Sequence, residues 1–123
     1  MLNDFYTVTA YRQTESGITC NVSFNAADPI FKGHFPEQPI VPGVCTMHIV
    51  KALLEAALSR KLTLKESSAV KFLRLITPAS TPHVLIDWQD DAGLITASAT
   101  LRDGGAAVFK MNAVYGAPAK KDQ

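Results

Sequence analysis

Residues 17–24, GITCNVSF, alternate strictly between apolar and polar, with Ile18, Cys20, Val22 and Phe24 on one side. A period of two is the signature of a strand with one covered face, because successive side chains leave a pleated backbone in opposite directions. The preceding run FYTVTAYR (5–12) and the connector QTES predict a hairpin with it. Four more runs read as strands: AVKFLRLI (69–76), HVLIDWQ (83–89), LITASATLR (94–102) and AVFKMNAVY (107–115). Their separators, TPASTP, DDAG and DGG, carry the Pro, Gly and Asp expected of turns between antiparallel strands. Ile95, Ala97, Ala99 and Leu101 form the apolar side of one of these strands, and Phe109, Met111, Ala113 and Tyr115 that of the next.

The cover for that sheet is a single helix over about residues 42–60. Pro42 suits the first helical turn, and the Ala/Leu-rich run after it has high helix propensity. Cys45, Ile49, Val50, Leu53, Leu54, Ala56 and Ala57 span a wide arc of the helical wheel, which predicts that sheet wraps the helix. The remaining narrow stripe holds Val44, His48, Lys51 and Glu55, with Lys51 and Glu55 spaced for a solvated ion pair. Two strands, one buried helix and four strands make an α+β unit over residues 1–117, followed by a flexible tail at 118–123.

Composition narrows the function classes. The chain has 123 residues, 47% hydrophobic and 19% charged, the balance of one globular domain. Twelve basic and eleven acidic residues leave a net charge of +1, and no Lys/Arg run is long enough to follow a phosphate backbone, so nucleic acid is not an expected partner. The start MLNDFYTVTA has neither the basic flank nor the apolar core of a secretory signal, and no apolar run approaches about 18 residues. A cytoplasmic protein without membrane insertion is the expectation. Cys20 and Cys45 stand alone in apolar surroundings and are expected as buried thiols. No cofactor and no metal are expected, since His34 and His48 have no evident third ligand. His83 is expected at the surface, and Asp90 and Asp91 in a turn.

The stretch with chemical content is FKGHFPEQPIVPGVCTMH, residues 31–48. Pro36, Pro39 and Pro42 recur every third residue and hold the backbone extended and stiff up to the helix. Gly43 at the helix start allows close approach to backbone amides, which together with the helix dipole stabilise an oxygen gaining negative charge. A histidine presented by such a loop suits general acid–base work. His34 is therefore either a catalytic base or a loop residue bonded to backbone.

FKGHFPEQPIVPGV closely resembles the signature F-x-G-H-F-P-x-x-P-x-x-P-G-V of the bacterial 3-hydroxyacyl-[acyl-carrier-protein] dehydratases, the FabZ/FabA group. The resemblance implies a hotdog fold, an antiparallel sheet wrapped around one long helix, and dimers with active sites at the subunit interface. It implies His34 as the base that removes the C2 proton, and Gly43 as the amide that polarises the thioester carbonyl. Phe31, Ile40, Val44 and Met47 become candidates for the acyl-tunnel wall. The implied substrates are acyl carrier protein or CoA thioesters, in fatty acid, polyene or polyketide synthesis. Where the family has a Glu or Asp, this chain has His48. Ala52 replaces a common Gln, and Pro78, Ala79 and Ser80 replace Pro-Gly-Asp. His48 is then a substitute acid, a water holder or a polar residue of an interface. Glu55 lies two turns, roughly 10 Å, further along the same stripe. A related subunit that keeps the acid could also complete the site in a heterodimer. A non-catalytic acyl-binding or partner subunit and a hotdog thioesterase are the alternatives.

Overall fold

The computed structural model describes residues 5–31 and 39–118. The elements follow the order strand, strand, helix and four strands: β1 (Tyr6–Gln13), β2 (Gly17–Phe24), α1 (Gly43–Leu58), β3 (Thr63–Phe72), β4 (His83–Asp91), β5 (Leu94–Asp103) and β6 (Ala106–Gly116). A short 3-10 turn at Pro29–Phe31 precedes α1. The strands form one antiparallel sheet in the order β1-β2-β4-β5-β6-β3, with β1 and β3 at its edges. This is the α+β arrangement expected of a hotdog.

The hairpins follow from their turn residues. Between β4 and β5, Ala92 and Gly93 take φ values of 53° and 92°, and the Asp90 carboxylate accepts the Gly93 N–H at 3.0 Å. Between β5 and β6, Gly104 and Gly105 take φ values of 61° and 84°. Two central residues with positive φ match the right-handed twist of the strands they join.

The alternation read from the sequence is the alternation of burial. Val84, Ile86 and Trp88 of β4, Ile95, Ala97, Ala99 and Leu101 of β5, and Phe109, Met111, Ala113 and Tyr115 of β6 face the core. Ala97 pairs with Ala113 and Ala99 with Met111, so small side chains lie at the middle of the sheet and leave room for the Ile and Leu residues of α1. α1 contributes Cys45, Thr46, Ile49, Val50, Leu53 and Leu54 to the buried side. That stripe is narrower than the wheel suggests: Ala56 is exposed and Ala57 half-buried. The wheel gives a side chain's direction; it does not say whether a neighbour is there to meet it. Both cysteines are buried free thiols, as expected, and burial pushes the Cys20 thiol up to about 11.

The largest departure concerns β3, expected at 69–76 and found at Thr63–Phe72. An edge strand needs hydrogen bonds on one side only, so the polar run KESS pairs with β6 although most of its side chains are exposed. The apolar residues after Phe72 leave the ladder: the Leu73 and Arg74 amides both bond the Val108 carbonyl, and the Ile76 carbonyl accepts the Val41 N–H. Each edge strand also carries a bulge at an alanine in the left-handed region, Ala10 in β1 and Ala69 in β3, both at φ 53°. No helix among the described residues is long and apolar enough to cross a membrane.

Candidate active site

α1 begins directly after the proline-rich stretch, and its first turn is open. Pro42 enters the helix with φ −59° and ψ 145° and offers no side-chain cap. Its carbonyl accepts the amides of Cys45 at 2.9 Å and Thr46 at 3.3 Å. Among the described residues nothing accepts the N–H of Gly43 or Val44. Amides without an acceptor among the described residues, at the positive end of the helix dipole, have the geometry that suits an oxygen gaining negative charge. The entry is pinned from outside by Val41, whose N–H reaches the Ile76 carbonyl at 2.6 Å. Phe72 explains why position 43 is glycine: a Cβ built there would lie 2.8 Å from two atoms of the Phe72 ring.

His34 lies outside the described residues, within the segment 32–38. His48 lies one turn into α1, half-buried, and lines an open cavity of about 780 Å³ with Lys51, Glu55, Lys61, Leu62, Thr63 and Pro118. The polar stripe of the helix therefore borders a cavity, as the i, i+4 spacing requires. Glu55 is engaged at the far end of that cavity, where its carboxylate accepts the Leu62 N–H at 2.8 Å. Its place is structural, joining the helix exit to the approach of β3, and the expected pairing with Lys51 yields to this backbone bond.

The four tunnel candidates occupy different environments. Phe31 is buried in the core at the end of the 3-10 turn, held by its own N–H to the Asp28 carbonyl at 3.1 Å. Ile40 and Met47 are half-buried, Met47 against the core, and Val44 is 75% exposed in the single chain. Among the described residues of one subunit, Val44 thus lines no enclosed wall. Exposed Phe72, Leu73 and Leu75 belong to the segment that passes the helix entry, where the Leu73 and Ile76 backbone bonds hold it.

One contributor, Phe72, carries no role in the sequence alone. Phe72 looked like an ordinary residue inside a strand; the available signal was the broken alternation at Lys71, Phe72 and Leu73. Ser80 stands where the resembled family has Asp, and its hydroxyl accepts the Thr77 N–H at 3.1 Å while its own N–H reaches the Thr77 carbonyl at 2.9 Å, so the turn is kept by a neutral group. His83 is exposed and its Nδ1 shares a hydrogen bond of 2.9 Å with the Asn21 side chain. A second depression, about 650 Å³, lies on the solvent face of the sheet between Ser16, Asp87, Ser98 and Asn112. Among the described residues no group of three or more His, Cys, Asp or Glu could hold a metal ion.

Comparison with known proteins agrees with the fold and motif. The family model "ApeI-like: ApeI dehydratase" matches residues 10–108. A 3-hydroxyacyl-[acyl-carrier-protein] dehydratase FabZ of Rickettsia typhi is 32% identical over 79 residues, covering 56% of this chain and 53% of that protein. The FabZ of Acetivibrio thermocellus is 38% identical over 71 residues, covering 50% and 45%. The chain therefore spans about half the length of the curated relatives it matches. Among solved structures, the dehydratase heterocomplex ApeI:P from Xenorhabdus doucetiae superposes with a TM-score of 0.75 at 21% identity, covering 89% of this chain and 96% of that one. That likeness establishes the hotdog fold, and with the family model spanning most of the strands and all of α1, the chain belongs to the ApeI-like dehydratase family.

Proposed function

We propose that the protein is a hydro-lyase that eliminates water from a 3-hydroxyacyl thioester to give the trans-2-enoyl thioester, with the acyl group carried on acyl carrier protein or CoA. His34 takes the proton from C2. The electrons move towards the thioester carbonyl, whose oxygen gains negative charge against the Gly43 amide. They return to form the C2–C3 double bond as the C3 hydroxyl leaves, and His48 donates the proton that makes the leaving group water. One proton is taken and one is given. The observation that carries this reading is the first turn of α1, whose Gly43 and Val44 amides have no acceptor among the described residues, a few residues after the Gly-His-Phe-Pro stretch and with His48 about one turn further along.

The reaction runs in both directions, so hydration of crotonyl-CoA is the convenient assay. The wild-type protein is expected to hydrate it, and His34→Ala to lose about 10²- to 10⁴-fold in kcat/KM. Turnover that survives His34→Ala removes His34 from the mechanism.

A second reading is supported by the likeness to a dehydratase heterocomplex and by His48 in place of a carboxylate. In it this chain pairs with a related hotdog subunit that supplies the acid, and alone it binds acyl thioester without turning it over. An inactive purified protein that becomes active with such a subunit, and remains inactive as a homodimer, selects this reading.

A further inference from the structure

We propose that Phe72 is a specificity-determining residue of this site: its ring walls the approach to the Gly43 amide and excludes acyl chains branched at C2. The inference rests on the thioester reading above.

Three contacts place the ring. On one side it occupies the space of the missing Gly43 side chain, 2.8 Å from the position of a Cβ. On another it packs at a tilt of 51° on Phe109, with centroids 5.2 Å apart, and Phe109 is fully buried. Below, its backbone is fixed because Phe72 pairs with Phe109 in the ladder and the next two amides bond Val108. A ring so anchored is nevertheless 56% exposed. In the single chain it is therefore an anchored ring that faces outward beside the helix entry, whereas its neighbour Phe109 is core.

The position matters because of what lies beside it. A Cβ is two bonds from its own amide nitrogen, so the ring edge lies within about 5 Å of the Gly43 nitrogen. A carbonyl oxygen bonded to that N–H at about 2.9 Å sets its C2 carbon at a comparable distance, about 5 Å, from the same nitrogen, within reach of a neighbouring ring. An unbranched C2 presents only hydrogens to the ring. A methyl on the ring's side of C2 would press on Phe72, and one methyl group in a close-fitting apolar site is worth about 10- to 200-fold in discrimination.

The experiment compares hydration of crotonyl-CoA and 2-methylcrotonyl-CoA by the wild type, Phe72→Leu and Phe72→Ala, with oligomeric state measured for each. Phe72→Leu retains contact with Phe109 should Phe72→Ala fold poorly. The wild type is expected to favour the unbranched thioester at least about tenfold, and both variants to narrow that ratio about tenfold, chiefly through KM of the branched substrate. Gly43→Ala gives an independent readout. It should lower the unfolding midpoint by about 3–5 °C in the wild type and by less than about 1 °C in the Phe72→Ala background, where the ring is absent. An active wild type whose ratio is unchanged by either variant overturns the inference alone. Variants that lose their oligomeric state with the ratio unchanged also overturn it, making Phe72 an interface residue. A wild type that hydrates neither thioester overturns the dehydratase reading together with this one, and the Gly43→Ala midpoints then report the steric contact by itself.

Discussion

The two ends of α1 are built on opposite plans. At its C-terminus the backbone is tied off: the Glu55 carbonyl accepts the Ser59 and Arg60 amides, the Gln13 side chain donates to the Ala57 carbonyl at 3.2 Å, and the Glu55 carboxylate holds Leu62. Arg60 reaches across to the Gly93 carbonyl at 3.1 Å. At the N-terminus no side chain caps the helix and, among the described residues, the Gly43 and Val44 amides bond nothing. Donors without an acceptor at the positive end of a helix dipole are available to a ligand, whereas a tied-off end joins the helix to its neighbours. The Tyr115 hydroxyl is the exception at the closed end. It lies one strand from Leu64, is buried, and among the described residues has no hydrogen-bond partner.

The contrast can be broken most forcefully at His48. Replacing it by Ala should cut kcat/KM for thioester hydration about 10²- to 10⁴-fold while leaving the unfolding midpoint nearly unchanged, because the ring is half-buried beside a cavity. A comparable loss of midpoint would make His48 part of the structural end instead. Glu55→Ala should do the reverse, costing about 1–2 kcal/mol in urea unfolding with little change in kcat, since it leaves the Leu62 amide without its acceptor. If activity falls and stability holds, Glu55 belongs to the chemistry.

Smaller effects sharpen the picture of the closed end. Tyr115→Phe removes a buried hydroxyl that has no partner among the described residues and should raise stability by about 1 kcal/mol. Ser59 caps the helix at φ 54°, a conformation that glycine adopts without strain, so Ser59→Gly should gain about 0.5–1 kcal/mol. Alkaline titration reads the core as a whole. Burial raises Cys20 from 9.0 to about 11 and Tyr115 from 10.0 to about 12, which favours their neutral forms in the folded protein. Their contribution is complete below pH 9 and is lost as pH rises through 11 and 12. Urea midpoints should therefore be flat up to about pH 9 and fall beyond it, and Cys20→Ala should flatten the first part of that fall. A decline that begins well below pH 9 in the wild type would point to other groups.

Most of the sheet was legible because each strand from β4 to β6 buries one face, and a covered face imposes its period on the sequence. β3 was misplaced for the complementary reason. Its partner β6 pairs with Glu66, Ser67 and Ser68 whatever their side chains are, and the apolar run 73–76 that reads as strand is held by the Leu73 and Arg74 amides on Val108 and by the Ile76 carbonyl on Val41. At the site, Gly43 and His48 were legible as a helix start and one turn beyond it. Phe72 was not, because nothing local to residue 72 says that its ring will occupy the space beside residue 43.

What the sequence by itself determined is direction: which side chains leave each strand or helix together, where prolines stiffen the chain, and which motif precedes the helix. Only the tertiary structure decided what meets those side chains. Ala56 points with the buried stripe yet finds solvent, Glu55 points with the polar stripe yet finds the Leu62 amide, and Gly43 finds an aromatic ring. Periodicity is a property of the local backbone axis, whereas contact depends on where a distant segment returns in space, and that is set by the packing of the whole sheet against the helix.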